Sequence, residues 1–351
     1  MNGQPDLGVT LISGRDRQGM RALAAMLLGR AAGGIVGPSD IGPELGSTTD
    51  LALALVDQLA LWADSGRRGS VVVELDERVE NAELGLVLTR VLSDRDPSAP
   101  QIAVHDLIAA VSVGDMRRLL FRDGPRLGAD DDDSAEHLAG QLEFATAIVL
   151  VHPEAASSEA ANECLALVRR LNPRAGVYSL SDGDQLVRHG AITRPRVQEL
   201  GGLAGWMLEL SGHAGPPTTS SGISALVFRD PRPFHPGRLA EAVASRLDPA
   251  AGGGLILRSR GLVRLASRPD QIGSWATAGD VFALNPTGME SWHEDAAIGQ
   301  ELVLFGRDLH PDTLIEVLSD CLLAAGELIA GRDLWANLAD PFPAWTVDRN
   351  S

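Results

Sequence analysis

The sequence contains no lysine, and all 30 of its basic residues are arginine. Lysine is the side chain that forms Schiff bases with carbonyl substrates and with pyridoxal phosphate, and that contacts the β and γ phosphates in P-loop proteins. Arginine keeps its charge in proteins and cannot act as an amine nucleophile. The composition therefore excludes Schiff-base chemistry and any phosphate transfer that depends on a P-loop lysine.

Cysteine and long apolar runs are also scarce. Cys164 and Cys321 are the two cysteines, far apart in helix-like contexts, so they form neither a disulfide framework nor a thiolate metal site. We expect both to be small buried hydrophobic residues. No apolar run approaches the roughly 18 residues that span a bilayer, and Met1–Asp6 lacks the pattern of a signal peptide. We therefore expect a cytoplasmic protein without a membrane segment.

Negative charge dominates the composition. The 47 aspartates and glutamates outnumber the arginines and give a net charge of −17. This charge repels the phosphates of nucleic acids over long distances, so we expect no direct binding to DNA or RNA. A protein partner, including a basic one, is compatible with it.

Short apolar runs alternate with amphipathic helical stretches through residues 1–212. This alternation predicts βαβ units, and hence an α/β domain with a mostly parallel sheet and helices on both faces. The predicted strands are Gly8–Ser13, Gly34–Gly37, Ser70–Glu74, part of Ile102–Val113, Ala147–Val151 and Gly176–Leu180, and the predicted helices are Asp16–Leu28, Thr49–Asp64, Ala82–Leu92 and Ser157–Leu171. The acidic run Asp130–Asp133 is predicted to lie in a solvated surface loop.

Residues 213–223 are rich in Gly, Pro, Thr and Ser, which predicts a linker. The pattern then changes, and residues 224–351 are typical of a smaller α+β domain with a mostly antiparallel sheet. The predicted strands there are Ser224–Phe228, Leu255–Arg258, Leu262–Ala266, Val281–Asn285 and Leu302–Phe305, and the predicted helices are Pro236–Arg246 and Pro311–Leu323.

The segment after the first strand has the glycine spacing of a P-loop. P-loop proteins follow a strand with G-x-x-x-x-G-K-[ST] and a helix, so that loop amides surround phosphate, lysine contacts it and the hydroxyl binds Mg²⁺. Gly14 and Gly19 stand at the two glycine positions, but Met20 occupies the lysine position and Arg21 the Ser/Thr position. Methionine carries no charge and arginine has no acceptor atom, so neither supplies the missing function.

Two interpretations of this loop are open. In one, Arg15, Arg17 and Arg21 together bind an anion without Mg²⁺. In the other, the loop is a turn that starts a helix, and Asp16 places negative charge beside the phosphate position. Glycine spacing alone is a weak signal and does not separate them.

The C-terminal part contains motifs that resemble a known family. They are Asp230–Leu239, Arg258–Leu262 continuing to Asp270, Glu301–Gly306, Asp320–Leu323, and Trp335 to Asp340–Trp345. In this order they resemble the C-terminal domain of the CobW-like GTPases, a family linked to zinc and cobalt handling. The overall spacing resembles the actinobacterial Mrf-type members, which are GTPases that recruit a ribosome-hibernation factor when zinc is scarce. As in that family, Asp340–Trp345 is expected to lie along its own domain.

The resemblance also implies where the family's other motifs fall. The Walker B-like strand, which ends in Glu-Thr-x-Gly, corresponds to Val71–Glu74, with Asp76 close behind. The guanine-reading Asn-Lys-x-Asp corresponds to Val151–Glu154, and the metal motif Cys-x-Cys-Cys falls at Gly46–Thr49, where no cysteine stands. The implied vestigial nucleotide site comprises Gly14, Arg15, Arg17, Gly19, Arg21, Glu74, Asp76 and Glu154. No metal site is implied.

Other site chemistry is weakly supported. Oxygen and nitrogen ligands cluster at Asp130–Asp133 with His137, at Trp292–Asp295, and at His310 with Asp312. None of these clusters has the i, i+4 pair of histidines that places two imidazoles on one helix face. No Gly-x-Ser-x-Gly motif is present, so a serine hydrolase is unsupported.

These observations predict a CobW-like pseudo-GTPase that acts by binding, in zinc homeostasis or the linked ribosome-hibernation response. The predicted partner is a protein, either a ribosome-associated or hibernation factor or an intact paralogue. We expect no enzymatic activity, no bound cofactor and no zinc. The alternative is an active GTP-binding metal chaperone in which Arg15, Arg17 or Arg21 replaces lysine, Glu74 or Asp76 holds Mg²⁺, and His/Asp clusters carry the metal.

Overall fold

The computed structural model divides the chain into two compact units. One comprises Met1–Leu119 and Arg126–Gly205, and the other comprises Leu120–Pro125 and Trp206–Ser351. The structure describes residues 6–29, 33–37, 47–123, 129–152, 156–182, 185–186, 196–214, 221–293 and 296–345. Across these ranges, no helix is long and apolar enough to cross a bilayer. The predicted linker at 213–223 falls partly outside them, and the predicted domain boundary stays a prediction.

The first unit alternates strands and helices along the chain, as the sequence predicts. Its elements are β1 (Leu7–Gly14), α1 (Arg17–Leu28), β2 (Gly33–Val36), α2 (Thr48–Asp64), β3 (Gly69–Glu74), α3 (Asn81–Ser93), β4 (Ile102–Ser112), α4 (Val113–Leu119), α5 (Ala129–Glu143), β5 (Ala147–Val151), α6 (Ser158–Leu171) and β6 (Gly176–Ser179). Short 3₁₀ turns follow at Leu180–Asp182 and Val197–Gly202. The strands pair in parallel in the order β2-β3-β1-β4-β5-β6. The predicted α/β domain with a parallel sheet and helices on both faces is confirmed, and its P-loop NTPase-like character stays a prediction from the sequence.

Apolar side chains cover both faces of this sheet, which is why its strands are near-continuous runs of Val, Ile and Leu. On one face, β1 and β3 pack against α2 and α3 through buried residues such as Leu11, Leu55 and Leu84. On the other face, Ile12 and Val149 belong to the cluster that α1 covers. The sheet is therefore fixed from both sides, with β1 at its centre.

The acidic run lies in a helix, so the prediction of a loop there was wrong. Asp130–Asp133 lie within α5, which begins at Ala129. Later in α5, Ala135, Leu138 and Leu142 are buried at helical spacing and hold it against the unit.

The second unit is built on an antiparallel sheet. Its elements are α7 (Gly205–Leu210), β7 (Ile223–Asp230), α8 (Pro236–Glu241), β8 (Leu255–Val263), β9 (Gln271–Ala278), β10 (Val281–Glu290), β11 (Gln300–Arg307), α9 (Pro311–Asp320), α10 (Ala325–Ala330) and α11 (Arg332–Trp335). A π-helical turn, Ala242–Arg246, continues α8, and a 3₁₀ turn lies at Pro249–Ala251. The strand order is β10-β9-β8-β11-β7. The predicted α+β domain is confirmed, although two predicted strands merge into β8 and β9 was missed.

A short piece of chain from the first half joins the second unit. The guanidinium of Arg122 forms an ion pair with Asp280 at 2.9 Å and donates to the carbonyl of Gly279 at 2.6 Å. No sequence pattern predicted that these residues belong to the second unit, because a few loop residues carry no periodicity.

The C-terminal segment 340–345 lies along its own domain, as expected. The carboxylate of Asp340 accepts hydrogen bonds from Ser267 (2.5 Å) and Arg268 (2.8 Å). The guanidinium of Arg268 lies 4.3 Å from the ring centre of Trp345, whose indole N–H donates to the Leu284 carbonyl at 3.0 Å. We call 340–345 the tail segment.

A second ion pair makes the stability of this unit depend on pH. Arg238 donates two hydrogen bonds to Glu327, which hold the pKa of that carboxyl at about 2, below its usual 4.5. Because the folded-state pKa is depressed, the contribution is complete above pH 4.5 and is lost as the pH falls towards 2.

We therefore expect Glu327→Gln to lower the free energy of unfolding by about 1 kcal/mol at pH 7, since both side chains of the pair are about one-third exposed. The difference from wild type should vanish near pH 2. Denaturant titration followed by tryptophan fluorescence checks this, with Glu316→Gln on the exposed face of α9 as control. A difference that persists unchanged at low pH would contradict it.

Candidate functional site

The site lies at the carboxyl ends of the central strands. Because β1 and β3 run parallel, the residues that follow them meet at one edge of the sheet, where α/β proteins bind ligands. Five of the predicted charged residues come together there: Arg15, Arg17, Arg21, Glu74 and Asp76. Glu154 lies outside the described residues.

The turn between β1 and α1 is short. Helix α1 begins at Arg17, and Asp16 is its N-cap residue. One carboxylate oxygen of Asp16 accepts hydrogen bonds from the backbone amides of Gln18 and Gly19, each at 3.0 Å. In a P-loop, amides at this helix N-terminus contact phosphate. Here a carboxylate of the chain itself takes that place.

The two glycines of the P-loop spacing are explained by close backbone packing. A Cβ on Gly14 would collide with the carbonyl oxygen of Ala110 in β4. A Cβ on Gly19 would lie 2.9 Å from a methyl of Val151 in β5 and 2.8 Å from the Asp16 carboxylate. Both positions require glycine for the strand and helix contacts alone, without any bound phosphate.

Met20, at the P-loop lysine position, points into the protein core. Its side chain is 3% exposed and packs in a cluster with Ile12, Leu23 and Val72. The cluster contains residues of α1 and of several strands, so Met20 helps to attach α1 to the sheet.

Arg21 and Glu74 pair with each other. The Arg21 guanidinium donates from Nε to Oε1 at 2.8 Å and from Nη2 to Oε2 at 3.0 Å, a bidentate arrangement. The Glu74 side chain is 6% exposed, whereas that of Arg21 is 65% exposed. An ion pair therefore joins Arg21, which stands where a P-loop has its Mg²⁺-binding hydroxyl, to the Walker B-like carboxylate of Glu74.

The other two arginines also have carboxylate neighbours. Arg15 lies 3.5 Å from Glu77, and Arg17 lies 3.7 Å from Asp76. His152 Nε2 lies 3.3 Å from the second oxygen of Asp16. Sequence reasoning gave Glu77 and His152 no role, although both fall within the Glu-Thr-x-Gly and Asn-Lys-x-Asp correspondences, because Glu stands there in place of Gly and His in place of Lys.

These contacts decide the electrostatics of the cluster. The cluster holds Arg15, Arg17, Arg21 and His152 together with four carboxylates, those of Asp16, Glu74, Asp76 and Glu77. An anion site needs an excess of positive charge or free amides. The described side chains of this cluster carry no excess of positive charge, and Asp16 occupies the amides of Gln18 and Gly19.

Metal ligands are not assembled in the described ranges. No group of three or more His, Cys, Asp or Glu side chains there is arranged to hold a metal ion. Ser47, beside the predicted position of the metal motif, caps α2 by accepting from the Asp50 amide at 3.1 Å. Cys164 and Cys321 are buried, and burial raises the pKa of the Cys321 thiol to about 11. The described residues therefore do not fit a zinc site.

Comparison with known proteins finds a matching family model, curated relatives and solved structures. Residues 223–322 match the cobalamin synthesis protein CobW C-terminal domain. The chain is 28% identical over 238 residues to the zinc-regulated GTPase metalloprotein activator 1 of Dictyostelium discoideum, covering 60% of this chain and 49% of that protein. It is 29% identical over 254 residues to a zinc chaperone of Mycobacterium tuberculosis, covering 61% of this chain and 55% of that protein.

The chain thus spans about half the length of the curated relatives it matches. Among solved structures, the Zn(II)-bound YjiA GTPase from E. coli matches with 15% identity and a TM-score of 0.37, covering 91% of this chain and 100% of that chain. The resemblance to CobW-like proteins found in the sequence is confirmed.

The expectation that zinc is unlikely as a cofactor of this chain is contradicted by its relatives. The relatives in Dictyostelium and Mycobacterium are named for zinc. The expectation came from the absence of a cysteine motif, which concerns one way of binding the metal. The absence of that one ligand set does not exclude zinc.

Proposed function

We propose, from the CobW C-terminal domain that this chain carries at residues 223–322, that the protein acts in zinc homeostasis as a non-catalytic recruiting protein. The relatives named as a zinc chaperone and a zinc-regulated GTPase metalloprotein activator support the zinc connection. The first unit serves as a folded scaffold and does not hydrolyse GTP. The partner is a protein, and a ribosome-associated hibernation factor or an intact paralogue is compatible with this role.

One observation carries the non-catalytic part of the proposal. The Asp16 carboxylate occupies the amides of Gln18 and Gly19, while Arg21 occupies the Glu74 carboxylate. Phosphate binding needs the amides, and Mg²⁺ binding needs the carboxylate. A nucleotide would have to displace both sets of internal bonds before making any of its own.

A second candidate is supported by the name of the Dictyostelium relative, which includes the word GTPase. In it, the chain is a GTP-binding metal chaperone with a rebuilt site. Arg15 or Arg17 would contact phosphate, and Glu74 would leave Arg21 to hold Mg²⁺. This candidate requires the site to rearrange on binding, which makes it separable by experiment.

The test is a titration of the purified full chain with a fluorescent GTP analogue, with Mg²⁺ and then with EDTA. We expect no saturable binding up to about 500 μM, which corresponds to less than about 5 kcal/mol of binding free energy. Micromolar binding that requires Mg²⁺ would refute the proposal in favour of the second candidate.

Arg21→Ala is the matched variant for this titration. It frees the Glu74 carboxylate and removes the charge proposed for an anion site. One outcome is that wild type binds the analogue equally with and without Mg²⁺ while Arg21→Ala does not bind it. In that case the arginine-based anion site is present, and the proposal that the chain's own groups occupy this site fails. Absence of binding in both proteins supports the proposal.

A further inference from the structure

We propose that a groove on the second unit binds a basic, arginine-containing segment of a partner protein. The groove has a volume of about 490 Å³ and lies where β9 and β10 begin to separate. Its walls include Asp270, Pro286, Met289, Glu290 and Trp292. We call it the β9–β10 groove. The inference names the partner chemistry of the recruiting role and so rests on the proposed function.

An irregularity in the sheet forms this groove. Pro286 pairs with Gly273 and Glu290 pairs with Gln271, so three residues of β10 stand opposite Ile272 alone. Gly288, within this bulge, has a φ of +75°, which glycine adopts without strain. Because β10 is at the edge of the sheet, the bulge has no strand on its outer side among the described residues. The extra residues turn Met289 and its neighbours away from the regular ladder.

An exposed indole lies on the wall of the groove. The Trp292 side chain is 65% exposed, although tryptophan is the residue whose burial stabilises an interface most. Trp292 lies on the connection between β10 and β11. The guanidinium of Arg264 donates to the backbone carbonyls of Ser291 and Ala297 and so ties the two ends of this connection together. Trp292 is therefore presented by an anchored segment.

The charge available to a ligand in the groove is negative. Arg268, its cation, is already bound to Asp340 at 2.8 Å and stacked on Trp345 at 4.3 Å. Glu290 is exposed. Asp270 lies 3.6 Å from Arg332, and both side chains of that pair are more than half exposed, so the pair is weak and open to exchange.

An exposed indole beside carboxylates is suited to a guanidinium. The flat cation stacks on the indole face by cation–π attraction, while its N–H groups donate to carboxylates. The net charge of −17 also favours the approach of a positively charged segment over a neutral or acidic one. The exposed indole, the neighbouring carboxylates and the net charge together favour a basic peptide as the ligand.

The test uses a fluorescein-labelled peptide of about ten residues with arginine at alternate positions, and the same peptide with citrulline in place of arginine. Fluorescence polarisation is measured with the full chain at about 150 mM salt, which screens long-range attraction. We expect the citrulline peptide to bind at least about tenfold more weakly than the arginine peptide. Trp292→Ala should weaken arginine-peptide binding by about tenfold, and Glu290→Gln by about threefold.

Two exposed positions serve as matched controls. Ile298→Ala removes an exposed apolar side chain and Glu316→Gln removes an exposed carboxylate of α9. Both should leave binding within about twofold of wild type. If the controls weaken binding as much as the groove variants, attraction to the general negative surface explains the result and the groove proposal is overturned. It is also overturned if the citrulline and arginine peptides bind equally.

The outcomes for the two proposals are distinguishable. The peptide titration reports on the second unit, and the GTP titration reports on the turn before α1 in the first. Mg²⁺-dependent GTP binding together with a Trp292-dependent peptide site would reject the non-catalytic role and retain the groove. The reverse pattern would retain the non-catalytic first unit and remove the groove.

Discussion

Met20→Lys is expected to lower the free energy of unfolding by roughly 3 kcal/mol. In a P-loop protein this position carries the lysine that contacts phosphate. Here the side chain is 3% exposed and surrounded by Ile12, Leu23 and Val72, so an ammonium group would be desolvated without a partner. We also expect no gain of Mg²⁺-dependent GTP binding, since the Asp16 carboxylate still occupies the amides.

Met20→Leu is the matched control, because it keeps the volume and apolar character and should cost less than about 1.5 kcal/mol. Denaturant unfolding and hydrogen exchange of peptides from α1 and β1 compare the two variants. A Met20→Lys protein that is as stable as Met20→Leu and binds GTP with Mg²⁺ would show that the side chain at this position reaches a working phosphate site.

Trp345→Ala is expected to destabilise the second unit by about 3 kcal/mol. The indole donates to Leu284, stacks under Arg268 and packs against Gly273. Its loss would also free the tail segment and expose part of β9 and β10. Hydrogen exchange should therefore rise in peptides from those two strands, while the first unit stays protected.

A double-mutant cycle makes this prediction specific. A Cβ on Gly273 would lie 2.6 Å from the Trp345 ring and 3.1 Å from a methyl of Val263. Gly273→Ala alone should cost about 1–2 kcal/mol by displacing the indole, but clearly less in the Trp345→Ala protein. Strictly additive effects would mean that the tail segment does not lie on β9 in solution.

Most of the architecture could be predicted because strand and helix periods are local. The run Val71–Val73 and the run Ala147–Val151 are too apolar for anything but buried strands of a parallel sheet, and both are such strands. The α+β character of the second unit was also predicted. The strand β9 was missed, because Gly273, Ser274 and Thr277 interrupt its apolar pattern.

The candidate site was predictable in position but not in chemistry. The sequence placed Arg21 and Glu74 near a common edge, yet their pairing joins residues 53 positions apart and depends on side-chain directions. The role of Asp16 was predicted only as added negative charge. Its capping geometry depends on where α1 begins, and helix ends are the least certain part of any sequence-based assignment.

The close contact between β1, α1 and their neighbours has a consequence for reversibility. Replacing Asp16 would free the amides of Gln18 and Gly19 but would remove a helix cap worth about 1 kcal/mol. Replacing Arg21 would leave the buried Glu74 carboxylate without its bidentate partner. Each of these single substitutions therefore lowers the stability of the fold, and no bound ligand yet compensates for the loss. In evolutionary terms, descendants of this chain could gain a phosphate site at this turn only through several substitutions made together.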